Sequence, residues 1–345
     1  MNSSSKGVAS PPITVLLAVH NGMPYLKQAI ESLRSQTFTD FEVLVLDDRS
    51  TDDSALYAQS IDDPRFMVLR LDRSGLAASL NRGIDESSAR YIVRMDADDV
   101  ALPDRIARQY AYMEQHTGCV LAGCDFERID LSGRVIGGYA GVTTDSALRF
   151  QLMFTTPFLH PGTIFRRDAV LRAGKYDTTF SVTQDYELWS RLAFEGTIGN
   201  VPAVLMKYRT NEHGASATNR ALQVLNGSRA AAAFAERLGI GLSAPEWFSL
   251  HRFLTIGEYC DQTRPGPLVQ TFLTAERHFA RRCATCIQEY ERIRDEFRSK
   301  LRWRLAEVTG TRTRRSGTRW EWGRAYLTLR LAGSSWVRPR SGQRS

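Results

Sequence analysis

Short apolar runs alternate with amphipathic stretches through the first part of the chain. Four of them, Ile13–Val19, Phe41–Leu46, Phe66–Leu71 and Tyr91–Met95, are rich in β-branched or aromatic residues and end at polar or turn residues, which predicts strands. Between them apolar positions recur at helical spacing. Tyr25, Leu26, Ala29, Ile30 and Leu33 follow Pro24, a residue suited to a first helical turn, and Leu76 to Ile84 repeats the stripe. Ser50-Thr-Asp-Asp-Ser54 supplies capping residues before Ala55, Leu56 and Ala58. Strand alternating with helix predicts an α/β fold, a mostly parallel sheet flanked by helices. Further on, Cys119–Ala122, Thr163–Arg166 and Ala203–Tyr208 read as strands and Asp185–Glu195 as a helix. From about Ala221 the pattern is helical, with an alanine-rich Ala230–Ala235 and a long charged stretch over Ala275–Val308.

These patterns divide the chain into four parts. Residues 1–12, rich in Ser, Gly, Ala and Pro, lack the apolar surface to order themselves. An α/β domain is expected over 13–218, a helical region over 219–310 and a basic tail over 311–345. With 345 residues, 43% hydrophobic and 24% charged, the chain is neither fibrous nor wholly disordered and can bury a core of enzyme size. No apolar run reaches the roughly 18 residues of a membrane span. The run Ile13–Val19 breaks at His20-Asn-Gly22 with no cleavage pattern after it, so the expectation is cytoplasmic residence. Five cysteines, an odd number without framework spacing, fit a reducing compartment. Cys283-Ala-Thr-Cys286 has metal or redox spacing, but no second Cys/His pair stands near it.

The net charge of +7 is unevenly spread. Residues 301–345 hold eleven arginines, no lysine and two acids, a local +9 that leaves −2 on the remainder. The same segment carries Trp303, Trp320, Trp322 and Trp336. Arginine mixed with interfacial aromatics suits an anionic membrane surface. That partner, contacted through residues 311–345 at the inner membrane face, is favoured over a merely solvated tail, and both over nucleic acid, which would use the same residue types.

In a parallel sheet the ligand site lies beyond the carboxyl ends of the strands. Those positions are acidic or amide here: Ala18-Val-His-Asn-Gly22, Asp47-Asp-Arg-Ser50 and Asp96-Ala-Asp-Asp99. No GxGxxG follows the first strand, which argues against a dinucleotide site. Three carboxylates at one strand end repel one another unless a cation sits among them, and a hard ion such as Mn²⁺ or Mg²⁺ takes carboxylates together with phosphate oxygens. The alternative is a capped turn, with Asp98 or Asp99 at the start of the helix that Pro103 helps to open.

The segments Ile13-Thr-Val-Leu-Leu-Ala-Val-His-Asn21, Val43-Leu-Val-Leu-Asp-Asp-Arg-Ser-Thr-Asp52, Gly75-Leu-Ala-Ala-Ser-Leu-Asn-Arg-Gly83 and Tyr91-Ile-Val-Arg-Met-Asp-Ala-Asp-Asp99, then Leu102-Pro-Asp-Arg105, occur in an order that resembles the family 2 glycosyltransferases of GT-A fold. His160-Pro-Gly-Thr-Ile-Phe-Arg-Arg167, Gly174-Lys-Tyr-Asp177 and Gln184-Asp-Tyr-Glu-Leu-Trp-Ser-Arg-Leu192 resemble the acceptor half of that family. The likeness covers about residues 12 to 215 and leaves the C-terminal third uncovered.

The resemblance implies a metal-dependent inverting transferase that moves a sugar from a nucleotide-sugar, most simply a UDP-sugar, to a saccharide or lipid-linked acceptor in cell-surface polysaccharide or glycolipid synthesis. It implies that Ala18 and Asn21 border the nucleotide, that Asp48 and Asp47 bond the base or ribose, and that the chain passes close to the nucleotide at Gly75 and Asn81. Asp98 would bind the metal and Asp96 the ribose or sugar side, with a share in the metal. Asp185 would be the catalytic base, with Gln184 and His160 on the acceptor side. Arg209 would clamp phosphate and His213 would join the metal.

Two positions depart from the family pattern. Gln184 stands where a glutamate is usual, which removes a like charge beside Asp185 and by itself lowers the pKa of that carboxylate. Arg49 replaces a small residue in the Asp-Asp-Gly-Ser turn, which tightens the turn or places a cation near the phosphates. Capping is the alternative for Asp185, and a structural histidine the alternative for His160. Two competing functions are a sugar-phosphate nucleotidyltransferase, which needs a glycine-rich, lysine-containing loop where this chain has His20-Asn-Gly-Met-Pro24, and a nucleotide-sugar-binding protein without turnover.

Overall fold

The computed structural model describes residues 10–210, 219–240, 244–256, 265–282 and 287–311. The chain divides into two compact units after Ala230. In the first, β1 (Ile13–Val19), β2 (Phe41–Asp47), β3 (Phe66–Arg70) and β4 (Tyr91–Asp96) alternate with α1 (Leu26–Arg34), α2 (Ser54–Gln59) and α3 (Leu76–Glu86). β5 (Val100–Ala101), α4 (Arg105–Gln115), β6 (Cys119–Ile129), β7 (Val135–Tyr139), α5 (Asp145–Leu152), β8 (Ile164–Arg166), α6 (Arg167–Arg172), α7 (Gln184–Leu192) and β9 (Thr197–Arg209) follow, and α8 (Arg220–Arg237) runs through the division.

The strands form one sheet in the order β3-β2-β1-β4-β8-β6-β9-β5, with β7 against β6. β3, β2, β1 and β4 are parallel, as their alternation with helices requires. The second half is mixed: β8 is antiparallel to both β4 and β6, whereas β6 and β9 are parallel. β1 is buried along almost its whole length because helices cover both of its faces, which is why it reads as a continuous apolar run. α3 sits close on the sheet at Gly83, where a Cβ would meet Leu16 Cδ2 at 2.7 Å and Leu46 Cδ1 at 2.9 Å.

β6 and β9 extend well beyond the apolar segments that predicted them. Asp125–Arg128 and Thr197–Gly199 carry no strand pattern of their own and are held by the ladder between the two strands. β7, exposed at all five residues, gives no alternating signal either. In the second unit α9 (Ala244–Ile256) packs on α10 (Pro265–Arg282) and on α11 (Ile287–Thr311), burying Trp247, Phe253, Phe272 and Leu301. Glu276 of α10 and Arg298 of α11 form a buried ion pair. Cys283, Cys286 and residues 312–345 of the basic tail lie outside the described residues.

Candidate active site

The carboxyl ends of β1, β2 and β4 open into a cavity of about 820 Å³, closed on its far side by the His160–Gly162 turn and the start of α7. Ala18 and Asn21 line it from β1 and the turn that follows. Asn21 sits at φ 54°, a conformation asparagine tolerates, and its Oδ1 accepts the Thr51 N–H at 2.8 Å, tying the turn after β1 to the one after β2. Asp48 also lines the cavity, and its two carboxylate oxygens accept the N–H groups of Ser74 (2.7 Å) and Gly75 (3.0 Å).

Three expected donor-side residues do not line the cavity. Asp47 points inward, fully buried, with Oδ1 accepting the Ser50 N–H at 3.1 Å and Oδ2 lying 3.4 Å from Arg70 Nε. Gly75 is required by its φ of +84° at the start of α3; a Cβ there would meet nothing within 4 Å, so no close protein contact selects it. Asn81 clamps the backbone of Tyr176, donating to its carbonyl and accepting its N–H, each at 2.9 Å.

The acidic cluster forms as the spacing suggested. Carboxylate oxygens of Asp96, Asp98 and Asp99 lie within 4.8 Å of one another. Asp99 is fully buried: Oδ1 accepts the Arg209 N–H at 2.8 Å and Oδ2 has no hydrogen-bond partner among the described residues. Burial, followed by the charge of Asp96, pushes the Asp98 carboxyl up to about 6; burial with Asp96 and Asp98 pushes Asp99 well above the usual carboxylate range. The capped-turn alternative fails, because α4 begins behind Asp104. Crowded carboxylates with an orphaned buried oxygen suit a hard divalent cation, which would relieve both the repulsion and the missing bond.

Arg209 is a tie beneath this cluster, not a free phosphate clamp. Its Nε donates to the Asp98 carbonyl (2.8 Å), Nη1 to that of Asp130 (3.0 Å) and Nη2 to Gln28 Oε1 (2.6 Å), and the guanidinium lies over the Tyr25 ring at 4.4 Å. His213 lies outside the described residues.

Across the cavity, Asp185 stands in the first turn of α7 behind Thr183, a β-branched residue held at φ 62°. Thr183 rather than Asp185 occupies the capping position. Strain of this kind costs about 1–3 kcal/mol and persists only where the surroundings enforce it. One enforcing bond is Asn226 Nδ2 to the Val182 carbonyl at 3.1 Å. Gln184 is buried with Oε1 unpartnered among the described residues. Burial raises the Asp185 pKa, outweighing the nearby Arg94 charge, which lowers it. His160 lines the cavity, yet its Nε2 lies 2.9 Å from the Tyr176 hydroxyl and its ring meets Trp189 edge-on; burial pushes its pKa far down, so it is neutral.

The family model described as Glycosyl transferase family 2 matches residues 14–174. The amylovoran biosynthesis glycosyltransferase AmsE of Erwinia amylovora is 31% identical over 202 residues, covering 57% of this chain and 75% of the relative. This chain is a family 2 glycosyltransferase. The O-antigen biosynthesis glycosyltransferase WbnJ of Escherichia coli is 30% identical over 188 residues, covering 53% of this chain and 72% of that protein. Among solved structures, S. aureus TarS 1-349 in complex with UDP-GlcNAc aligns with TM-score 0.56 at 16% identity, over 83% of this chain and 91% of that one. The mannosyltransferase PcManGT from Pyrobaculum calidifontis, in complex with GDP-Man and Mn²⁺, aligns with TM-score 0.53 at 17% identity, over 95% and 88%. At those identities the likeness establishes the GT-A fold.

For a family 2 glycosyltransferase, one departure now has a conformational account. Arg49 sits at φ 59°, the left-handed region that favours glycine, and its side chain is exposed and outside the cavity lining. Two site residues went unread in the sequence. Arg94 is 1% exposed in β4 and ion-pairs with Asp96; a charge inside the otherwise apolar Tyr91–Met95 was the available signal. Thr183 gave none, because a threonine is not a residue type that marks a positive φ.

Proposed function

We propose that this chain is a metal-dependent inverting glycosyltransferase that moves a sugar from a nucleotide-sugar, most simply a UDP-sugar, to a saccharide or lipid-linked acceptor during synthesis of a cell-surface polysaccharide or glycolipid. The observation that carries this is that Asp96 and Asp98 of the acidic cluster line the same cavity as Asp185. Relatives named for amylovoran and O-antigen biosynthesis, and structural neighbours titled with UDP-GlcNAc and with GDP-Man and Mn²⁺, support it.

Asp98, Asp96 and Asp99 are the residues that would hold Mn²⁺ or Mg²⁺, with His213 a further candidate. The bound cation supplies a Lewis acid for the charge that grows on the leaving diphosphate. The protein's own groups do the rest. Asp185 takes the proton of the acceptor hydroxyl as that oxygen bonds the anomeric carbon and the bond to the diphosphate oxygen breaks. A single base and in-line displacement invert the anomeric centre. Burial raises the Asp185 pKa, which strengthens its carboxylate as a base. Asp48 and Asn21 shape the nucleoside end, and neutral His160 and Gln184 face the acceptor side.

In this proposal residues 13–218 carry the chemistry, 219–310 form the helical region and 311–345 hold the protein against an anionic inner membrane face. Among the described residues no helix is long and apolar enough to cross a membrane. The test is calorimetry with UDP, GDP and TDP, each in Mn²⁺ and in EDTA. Binding of one nucleoside diphosphate that EDTA abolishes is expected. Binding insensitive to EDTA removes the metal, and binding of none removes the transferase site.

A further inference from the structure

Three buried arginines surround the acidic cluster, and two of them are fully supplied with acceptors. Arg105, 0% exposed, donates from Nε to Gln109 Oε1 (3.1 Å) and from Nη2 to the carbonyls of Arg94 (2.7 Å) and Pro161 (2.6 Å). Arg209 is bonded through all three of its nitrogens. Arg94 differs. It is 1% exposed and ion-paired with Asp96, yet its Nε has no hydrogen-bond partner among the described residues. A desolvated guanidinium that keeps unpaired N–H groups is costly unless something else supplies the acceptors. Arg94 lines the cavity, so a bound molecule can supply them.

The chemistry of that molecule follows from what surrounds Arg94. Its charge is already matched by Asp96, so the pair suits neutral oxygens better than a further full anion. Buried Gln184 Oε1, on the same cavity, is an acceptor without a donor. A phosphate offers only acceptors at neutral pH, whereas a sugar offers hydroxyls that both donate and accept. The base of Arg94 is also rigid: its N–H donates to the Thr163 carbonyl at 3.1 Å and its carbonyl is held by Arg105. Resting on the transferase reading above, we infer that Arg94 is the specificity residue for the donor sugar, its buried guanidinium donating hydrogen bonds to hydroxyl or acyl oxygens of the transferred ring. Gln184 Oε1 accepts a hydroxyl proton of the same substrate complex.

The test compares a nucleoside diphosphate with its sugar conjugates. Calorimetry on the full chain in Mn²⁺ would measure UDP and a panel of UDP-glucose, UDP-galactose and UDP-N-acetylglucosamine, with the GDP- and TDP-sugars in parallel, for wild type and Arg94→Lys. Lysine keeps the charge beside Asp96 and removes the planar fork. The expected result is a loss of about tenfold or more for the best-bound sugar nucleotide, with the bare nucleoside diphosphate within about threefold of wild type. An equal loss for both assigns Arg94 to the diphosphate or to the shape of the cluster, and no loss for either makes it a structural ion pair; each overturns the inference. If Arg94→Lys does not fold, single-deoxy analogues of the best sugar nucleotide on wild type decide. At least one must lose about tenfold or more, and uniform binding across them overturns the inference. Failure of wild type to bind any nucleoside diphosphate is the separate outcome that removes the transferase reading itself.

Discussion

Asp99 and Arg209, 110 residues apart in sequence, meet at 2.8 Å where the backbone N–H at the end of β9 donates to a fully buried carboxylate beside β4. This bond joins the acidic cluster to the end of β9. Asp99→Ala leaves that N–H without its acceptor and should destabilise the protein by about 1–3 kcal/mol. Asp99→Asn keeps an acceptor, so it should recover most of that stability while still weakening Mn²⁺ binding. Urea denaturation and metal titration of the two variants separate the roles, and equal metal affinity in Asp99→Asn and wild type would remove Asp99 from the ligand set.

Asp185→Asn should preserve nucleoside diphosphate binding and reduce transfer by about 10²–10⁴-fold, the usual contribution of a general base. Product formation from a labelled sugar nucleotide, read beside calorimetry, checks both halves. Near-normal turnover in this variant would place the base elsewhere.

The raised Asp98 carboxyl carries a pH prediction. In the folded protein it keeps its proton up to about 6, whereas the unfolded chain loses it at the usual, lower carboxylate value. The folded state therefore binds more protons in that window, and the stability of the metal-free protein falls as pH rises from about 4 to about 6. A divalent cation competes with the same protons, so Mn²⁺ should stabilise the fold more at pH 7 than at pH 5. Urea midpoints at the two pH values, with Mn²⁺ and with EDTA, test this. Asp98→Asn should flatten the pH dependence, and an unchanged profile would show that Asp98 is not its source.

Asn81 was expected beside the nucleotide, but its carboxamide holds the Tyr176 backbone, and the Tyr176 hydroxyl in turn lies 2.9 Å from His160 Nε2. Asn81→Ala should cost about 1–3 kcal/mol of stability and leave nucleoside diphosphate affinity within about threefold. A large selective loss of nucleotide affinity in a stable variant would return Asn81 to the donor site.

Much of this molecule is legible in its sequence. The strands of the parallel half are fully buried, so each appears as an unbroken apolar run ending in the polar residues that face the cavity. The acidic triplet was visible because three carboxylates stand within four residues at the end of one strand. The antiparallel half was harder. β7 is exposed throughout, and the polar stretch of β6 is a strand only because β7 and β9 pair with it.

Local periodicity and the residue types at strand ends determined the α/β class and the cavity's place on the sheet, while the roles expected of Asp48, Asp98 and Asp185 came from the resemblance to the family 2 glycosyltransferases. Which neighbouring group does the work was decided by the tertiary structure. Asp47 and Asp48 share one chemistry and one turn, yet the pleat sends one into the interior toward Arg70 and the other to the cavity rim, where it ties down Ser74 and Gly75. Arg94, Arg105 and Arg209 look alike along the chain, and only the folded path gives Arg105 and Arg209 their full sets of acceptors while leaving Arg94, paired with Asp96, an Nε without one among the described residues. Periodicity records how each residue faces its own element. The partners a buried charge finds come from segments that the chain brings back from far along its length.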